Sequence, residues 1–133
     1  FGELAEAVDC ALLLDMGHLV SYQMASGKLI SDELDPLPYE RVIEVHIAGG
    51  RLAAGDSTRG PIYVDAHEQP ILEQSWQMLA QLLPKLFNLK AVCFECEGSD
   101  PKTVLDTLYK INQQVSELSG SQSLLNHLKL KQS

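Results

Sequence analysis

Three short, largely apolar runs, each ending at an acidic residue or a histidine, most limit how this chain can fold. Residues 11–14 lead to Asp15, residues 42–45 lead to His46, and residues 91–94 lead to Glu95. Apolar runs of this length between turn residues predict strands buried on both faces of a parallel sheet. Each strand therefore brings a chemically active side chain to its carboxyl end, where parallel α/β folds build their sites.

Three more side chains of the same chemistry lie close by in the sequence. His18 follows Asp15 by three residues, and Asp65 and His67 come after residues 49–64, which are predicted to form a long functional loop. Carboxylates and imidazoles desolvated together at a sheet edge are costly unless they are paired or bind a cation. Their mixture of oxygen and nitrogen atoms suits zinc, manganese or iron. We therefore predict a metal site with these ligands: Asp15, His18, His46, Asp65, His67 and Glu95.

Helical patterns alternate with the predicted strands. An apolar stripe at helical spacing follows Pro70 and includes Trp76, and Asp100 with Pro101 is a typical start for a second amphipathic helix. The remaining predicted elements are a helix over 3–8, strands over 10–15, 41–48 and 88–95, a helix over 19–25 closed by Gly27, and a short last helix around 124–128. Alternation of this kind is typical of β-α-β units with right-handed crossovers.

Two α/β architectures fit three such units: an open layer, or the last three units of an eight-fold TIM barrel. The chain begins without methionine and opens directly into a helical pattern. This start favours the barrel, with residues 1–133 as the carboxyl-terminal part of a longer domain. The exposed sheet edges of an incomplete barrel would favour a homo-oligomer.

Composition excludes several classes of protein. The 133 residues, 45% of them hydrophobic, suit one globular domain. A net charge of −8 with scattered basic residues argues against nucleic-acid binding, because phosphate contacts need a basic patch. No apolar segment approaches the roughly 18 residues that a membrane span requires, and no signal peptide is recognisable. An odd number of cysteines, three, favours a reducing cytoplasm.

Two of these cysteines form the motif Cys93-x-x-Cys96, at the end of a predicted strand. Strand alternation would point their side chains to opposite faces, which argues against a zinc or redox pair. Cys10 and Cys93 are predicted to lie within buried strands. His127 falls on the predicted last helix, away from the strand ends, and is expected to be a surface residue.

The candidate ligands also carry a family resemblance. Their order resembles the second half of the metal-ligand set of the xylose-isomerase-like barrels, a superfamily that includes endonuclease IV. Within it, the strings LLLDMGH, RVIEVHIAGG and VDAHEQP, followed by a tryptophan-bearing helix, resemble the multinuclear non-haem iron-dependent oxidases of methanobactin biosynthesis, formerly a domain of unknown function. The resemblance covers about residues 1–118. Many of these oxidases have asparagines where this chain has Gly17 and His18, and a histidine there is closer to the endonuclease pattern.

The resemblance implies an enzyme that uses two or three irons to oxidise cysteines of a ribosomally made precursor peptide, often presented by a partner protein. It implies that Asp15, His46, Asp65, His67 and Glu95 bind the cluster and that earlier strands of the barrel supply further ligands. His18, the sixth predicted ligand, instead matches the endonuclease-type pattern. The chain alone would then be incomplete as an oxidoreductase. Arg51 and Arg59, in the predicted long loop, would pair with acidic groups of the peptide.

Two other functions stay open. The first is a metal-dependent isomerase or phosphodiester hydrolase of the same superfamily, in which zinc or manganese would activate water or polarise a carbonyl; the acidic net charge counts against the endonuclease version. The second is a non-catalytic interaction module whose strand-end acids are structural and which binds no stoichiometric metal.

Overall fold

The computed structural model describes residues 2–55 and 60–119. Its elements, in chain order, are α1 (Gly2–Ala7), β1 (Leu12–Asp15), α2 (Met16–Ser26), α3 (Ile30–Glu33), β2 (Val42–Ala48), β3 (Gly50–Ala53), β4 (Ile62–Asp65), α4 (Glu73–Leu82), β5 (Ala91–Glu95) and α5 (Pro101–Ser119). The predicted last helix, His127 and Arg59 lie outside the described residues. None of the described helices combines the length and the apolarity needed to cross a membrane.

The three predicted strands form one parallel sheet in the order β1-β2-β5. In the register of this sheet, Asp15 lies beside His46, and Ala48 lies beside Glu95. Paired residues of neighbouring parallel strands point to the same face, as do residues two apart on one strand. The α/β class, the parallel sheet and the meeting of the three strand ends are therefore confirmed.

The described helices cover only one face of this sheet. Val45 and Ile47 of β2 are fully buried on that face, together with Val20 of α2 and Leu79 of α4. On β1, by contrast, Leu13 stays 42% exposed, because no described element packs over its face. The prediction that the strands are buried on both faces is therefore wrong for the described residues.

Several predicted boundaries also shift. Cys10 precedes β1 and is exposed, so its placement in a buried strand is wrong. No turn separates β1 from α2, since the Asp15 side chain caps the helix directly, accepting a hydrogen bond from the His18 backbone N–H at 2.8 Å. Gly27 ends α2 in the left-handed conformation, as predicted. Asp100 caps α5, as predicted, by accepting a hydrogen bond from the Thr103 backbone N–H at 3.1 Å.

Residues 49–64 contain a β-hairpin rather than one long loop. Strand β3 pairs antiparallel with β4, with Gly50 opposite Asp65, and β4 contacts α2. Tyr63 of β4 anchors the hairpin, because its ring is buried in the core. Arg51 therefore lies on a strand, where it is exposed, and not in a loop. The hairpin brings Asp65 and His67 to the sheet edge from outside the parallel sheet.

Candidate metal centre

The three strand ends bring together Asp15, His46 and Glu95. One ligand atom from each side chain lies within 4.8 Å of the others, a spacing that could hold a metal ion. Nδ1 of His46 lies 3.2 Å from Oε1 of Glu95. All three side chains are partly buried. We call these three residues the sheet triad.

A second group lies beside the sheet triad and is formed by His18, Asp65 and His67. Nε2 of His67 lies 3.2 Å from Oδ1 of Asp65, and Nε2 of His18 lies 3.5 Å from Oδ2 of the same carboxylate. We call these residues the hairpin group, because β4 ends at Asp65 and leads directly to His67. His18 comes from the first turn of α2, where its side chain is largely exposed.

Glu95 connects the two groups. Its Oε1 faces His46 of the sheet triad, and its Oε2 lies 3.9 Å from Nε2 of His67. The structure thus gathers all six residues that the sequence suggested as ligands into one connected cluster of carboxylates and imidazoles.

Two glutamates that the sequence analysis did not single out also contact this cluster. Oε1 of Glu44 lies 3.0 Å from Nε2 of His46, and Oε2 of Glu97 lies 2.7 Å from Nδ1 of His67. Strand alternation could have revealed Glu44, since it stands two residues before His46 on β2 and so shares its face. Glu97 follows β5 in a turn, and no local pattern predicts where its side chain points.

The acidic surroundings raise the pKa of His46 and of His67. Burial lowers the pKa of His46, but its hydrogen bond with Glu44 and the charge of Glu95 outweigh burial and raise the pKa overall. The hydrogen bond with Glu97 raises the pKa of His67, and the nearby Asp65 adds to this against the effect of burial. Among the described residues, no lysine or arginine forms an ion pair with the carboxylates of the cluster. The site therefore favours a cation.

A buried phenol lies close to the cluster. The Tyr63 hydroxyl donates a hydrogen bond to the Gly49 carbonyl at 3.4 Å. Burial raises the pKa of Tyr63 to about 12, and the charges of Asp65, Asp15 and Glu95 act in the same direction. Tyr63 is therefore a neutral phenol at physiological pH.

Glycines make room for this ring and for the hairpin. A Cβ at Gly17 would lie 3.0 Å from Cζ of Tyr63, and one at Gly50 would lie 2.6 Å from the same atom. At Gly49 a Cβ would collide with the backbone carbonyl group of Gln69. The two glycines after β2 therefore let chain segments approach closely, which a side chain at either position would prevent.

Backbone hydrogen bonds hold the segment that carries the hairpin group. The Ala66 N–H donates to the Gly49 carbonyl, and the Gly50 N–H donates to the Pro70 carbonyl, each at 3.2 Å. The Ser99 hydroxyl donates to the His67 carbonyl at 3.1 Å and so ties this segment to the turn after β5. The positions of Asp65 and His67 therefore depend on contacts distant in sequence.

Cys93 lies beside the cluster on the open face of the sheet. It is paired in register with His46, and it is a free, partly buried thiol. Burial raises the pKa of Cys93, and the charges of Glu95 and Glu44 raise it further. The neutral thiol form of Cys93 is therefore favoured, although this residue lies within reach of the site.

The donor set fits a transition metal that accepts both imidazole nitrogen and carboxylate oxygen. Carboxylates with imidazoles are the ligands of non-haem iron, zinc and manganese sites. Three protein ligands in the sheet triad would leave coordination positions open for other molecules.

Comparison with known proteins identifies the family of this chain. Residues 1–118 match the model of a family described as RiPP precursor modification enzyme MbnB/TglH/ChrH, where RiPP denotes a ribosomally made, post-translationally modified peptide. A UPF0276 protein of Shewanella sediminis (strain HAW-EB3) is 32% identical over 108 residues, which are 81% of this chain and 32% of the relative. The UPF0276 protein VV3194 of Vibrio vulnificus (strain YJ016) is 30% identical over 79 residues, 59% of this chain and 26% of the relative.

A UPF0276 protein of Caulobacter sp. (strain K31) is 30% identical over 84 residues, which are 63% of this chain and 29% of the relative. Each of these matches thus spans about a third or less of the relative's length. The family resemblance inferred from the strings around Asp15, His46 and Asp65 is confirmed by the match over residues 1–118. This chain belongs to the MbnB/TglH/ChrH family of RiPP precursor modification enzymes.

Proposed function

We propose that this chain supplies the carboxyl-terminal metal-binding part of an iron-dependent oxidase that modifies cysteines of a ribosomally made precursor peptide. The observation that carries the proposal is the convergence of the sheet triad and the hairpin group around Glu95, in a chain of a RiPP-modifying family. Two or three irons are the proposed cofactor.

The ligands divide between two metal positions. Asp15, His46 and Oε1 of Glu95 would hold one metal, while His18, Asp65 and His67 would hold a second beside Oε2 of Glu95. A carboxylate that faces both groups is suited to bridge two cations and to compensate their charge. Ligands for a third metal would come from other strands of the longer protein.

The proposed architecture is the last three β-α units of a single xylose-isomerase-like TIM barrel, with residues 1–133 as its carboxyl-terminal part. The face of the sheet that no described element covers supports this, because in such a barrel that face lines the interior. The cluster at the carboxyl ends of β1, β2 and β5 also lies where barrel enzymes place their active sites. The short match to each relative supports a longer parent domain.

The proposed substrate is a peptide whose cysteine reaches the metals. Bound iron would supply a Lewis acid for the substrate thiol and a centre for electron transfer to dioxygen. The chain's own residues would hold this centre. Without bound metal, burial and the neighbouring carboxylates raise the pKa of Cys93 and of Tyr63, so both side chains stay protonated beside the ligands. Arg51, exposed on β3, is placed to pair with an acidic peptide group. A peptide-presenting partner, a cytoplasmic location and a homo-oligomer complete the proposal.

Elemental analysis of the full-length protein, purified without oxygen, tests the metal and its identity. We expect at least two irons per chain in the wild type and their loss in a double variant with His46→Ala and Asp65→Ala. A matched Glu73→Ala variant should keep its iron, since Glu73 lies in the first turn of α4 outside the cluster. Zinc or manganese at the same stoichiometry would favour the isomerase or hydrolase function, and no bound metal would favour the interaction module.

A further inference from the structure

Glu44 contacts a histidine of the sheet triad, and Glu97 contacts a histidine of the hairpin group. Glu44 contacts Nε2 of His46 at 3.0 Å, on the edge of the ring away from Nδ1, which faces Glu95 at 3.2 Å. Glu97 contacts Nδ1 of His67 at 2.7 Å. His46 and His67 therefore each have one nitrogen facing the ligand cluster and the other facing a glutamate that the sequence analysis did not single out.

The two rings present different nitrogens to the cluster. His46 directs Nδ1 towards Oε1 of Glu95, whereas His67 directs Nε2 towards Oδ1 of Asp65 at 3.2 Å and Oε2 of Glu95 at 3.9 Å. A neutral imidazole carries its proton on only one nitrogen. A carboxylate that accepts a hydrogen bond from this N–H therefore keeps the other nitrogen free to bind a metal.

We infer that Glu44 and Glu97 are positioning residues that fix opposite tautomers of the two histidines. One metal would then be bound through Nδ1 of His46, and the second metal through Nε2 of His67. The inference rests on the proposed metal centre, and it gives a role to two residues that are not among the six ligands. Metal-binding histidines commonly donate their second N–H to such a carboxylate, which orients the ring and makes the binding nitrogen more basic.

The two glutamates differ in how firmly they are held. Glu44 lies on β2, the central strand of the sheet, two residues from the histidine it contacts, and its side chain is 40% exposed. Glu97 lies in the turn after β5, and its side chain is 77% exposed. Solvent competes more with the exposed pair, so the loss of Glu44 should weaken metal binding more than the loss of Glu97.

The test uses zinc-loaded protein, because zinc is diamagnetic and binds the same ligand types. Nitrogen-15 NMR of the imidazoles distinguishes a metal-bound nitrogen from a protonated one. We expect zinc on Nδ1 of His46 and on Nε2 of His67, with protons on the other two nitrogens. The opposite nitrogens on zinc would overturn the assignment while leaving the metal centre intact.

Zinc titration of variants provides the second measurement. Glu44→Ala should weaken zinc binding by about 10–100-fold, a usual cost of losing such a partner, and Glu97→Ala should weaken it less. Glu44→Gln should restore part of the affinity, because the amide oxygen still accepts the imidazole N–H. Glu73→Ala serves as the control.

Three further outcomes would refute either the positioning role or the metal centre itself. Wild-type affinity in both Glu44→Ala and Glu97→Ala would refute the positioning role alone. Complete loss of zinc in Glu44→Gln would make Glu44 a direct ligand and would also refute the positioning role. A wild-type protein that takes up no zinc and no iron would overturn the proposed metal centre, and this assignment with it.

Discussion

Oε1 of Glu95 lies 3.2 Å from Nδ1 of His46, although the two residues belong to different strands of the parallel sheet. The register that places Glu95 beside Ala48 also brings its carboxylate over the strand end that carries His46. Because the second oxygen of Glu95 faces His67, this one side chain connects the sheet triad and the hairpin group.

The first prediction concerns this connection. Glu95→Gln keeps the size of the side chain but removes its charge, so we expect metal to be lost from both groups. Asp65→Asn should weaken mainly the hairpin group, because Asp65 contacts only His18 and His67 among the proposed ligands. Metal content after equilibrium dialysis measures both variants. Full retention in Glu95→Gln would contradict the shared role.

The second prediction separates two roles of Asp15, which caps α2 through Oδ1 and belongs to the sheet triad. Asparagine caps a helix about as well as aspartate, whereas alanine costs about 1 kcal/mol. Without metal, Asp15→Asn should therefore keep nearly wild-type stability towards urea, and Asp15→Ala should lose that amount. Both variants should bind metal less tightly than wild type. Equal stability of the two variants in chelator would show that the cap contributes nothing.

The third prediction concerns Gly17 and Tyr63. Glycine inside a helix normally costs about 1 kcal/mol relative to alanine, so Gly17→Ala would be expected to stabilise α2. Here the new Cβ would meet the Tyr63 hydroxyl and approach Cζ to 3.0 Å. We therefore expect Gly17→Ala to lower the melting temperature, and Tyr63→Phe in the same chain to restore part of it. A variant more stable than wild type would show that Tyr63 yields without cost.

The fourth prediction concerns Gly49, which faces the backbone carbonyl of Gln69 rather than a flexible side chain. Overpacking of this kind typically costs about 1–3 kcal/mol, so Gly49→Ala should destabilise the protein by about that much. It should also weaken metal binding, because the Gly49 carbonyl accepts the Ala66 N–H next to Asp65. Gly60→Ala is the matched control, since a Cβ there would meet no atom of the described residues within 4 Å. Equal stability of the two variants in thermal denaturation would refute the prediction.

Local sequence patterns were enough to predict the strands β1, β2 and β5, the capped start of α5 at Asp100 and the six candidate ligands. These features depend on local chemistry, such as short apolar runs, capping residues and acids or histidines at strand ends, and local chemistry is visible in a linear pattern.

The other features could not be predicted from local patterns, because they depend on which distant segments of the chain pack together. The β3-β4 hairpin forms because Tyr63 is buried in the core and fits against Gly17 and Gly50, which no local pattern could predict. The exposure of Leu13 depends on which elements cover the sheet. The approach of Glu97 to His67 likewise depends on how two separate loops meet at the sheet edge.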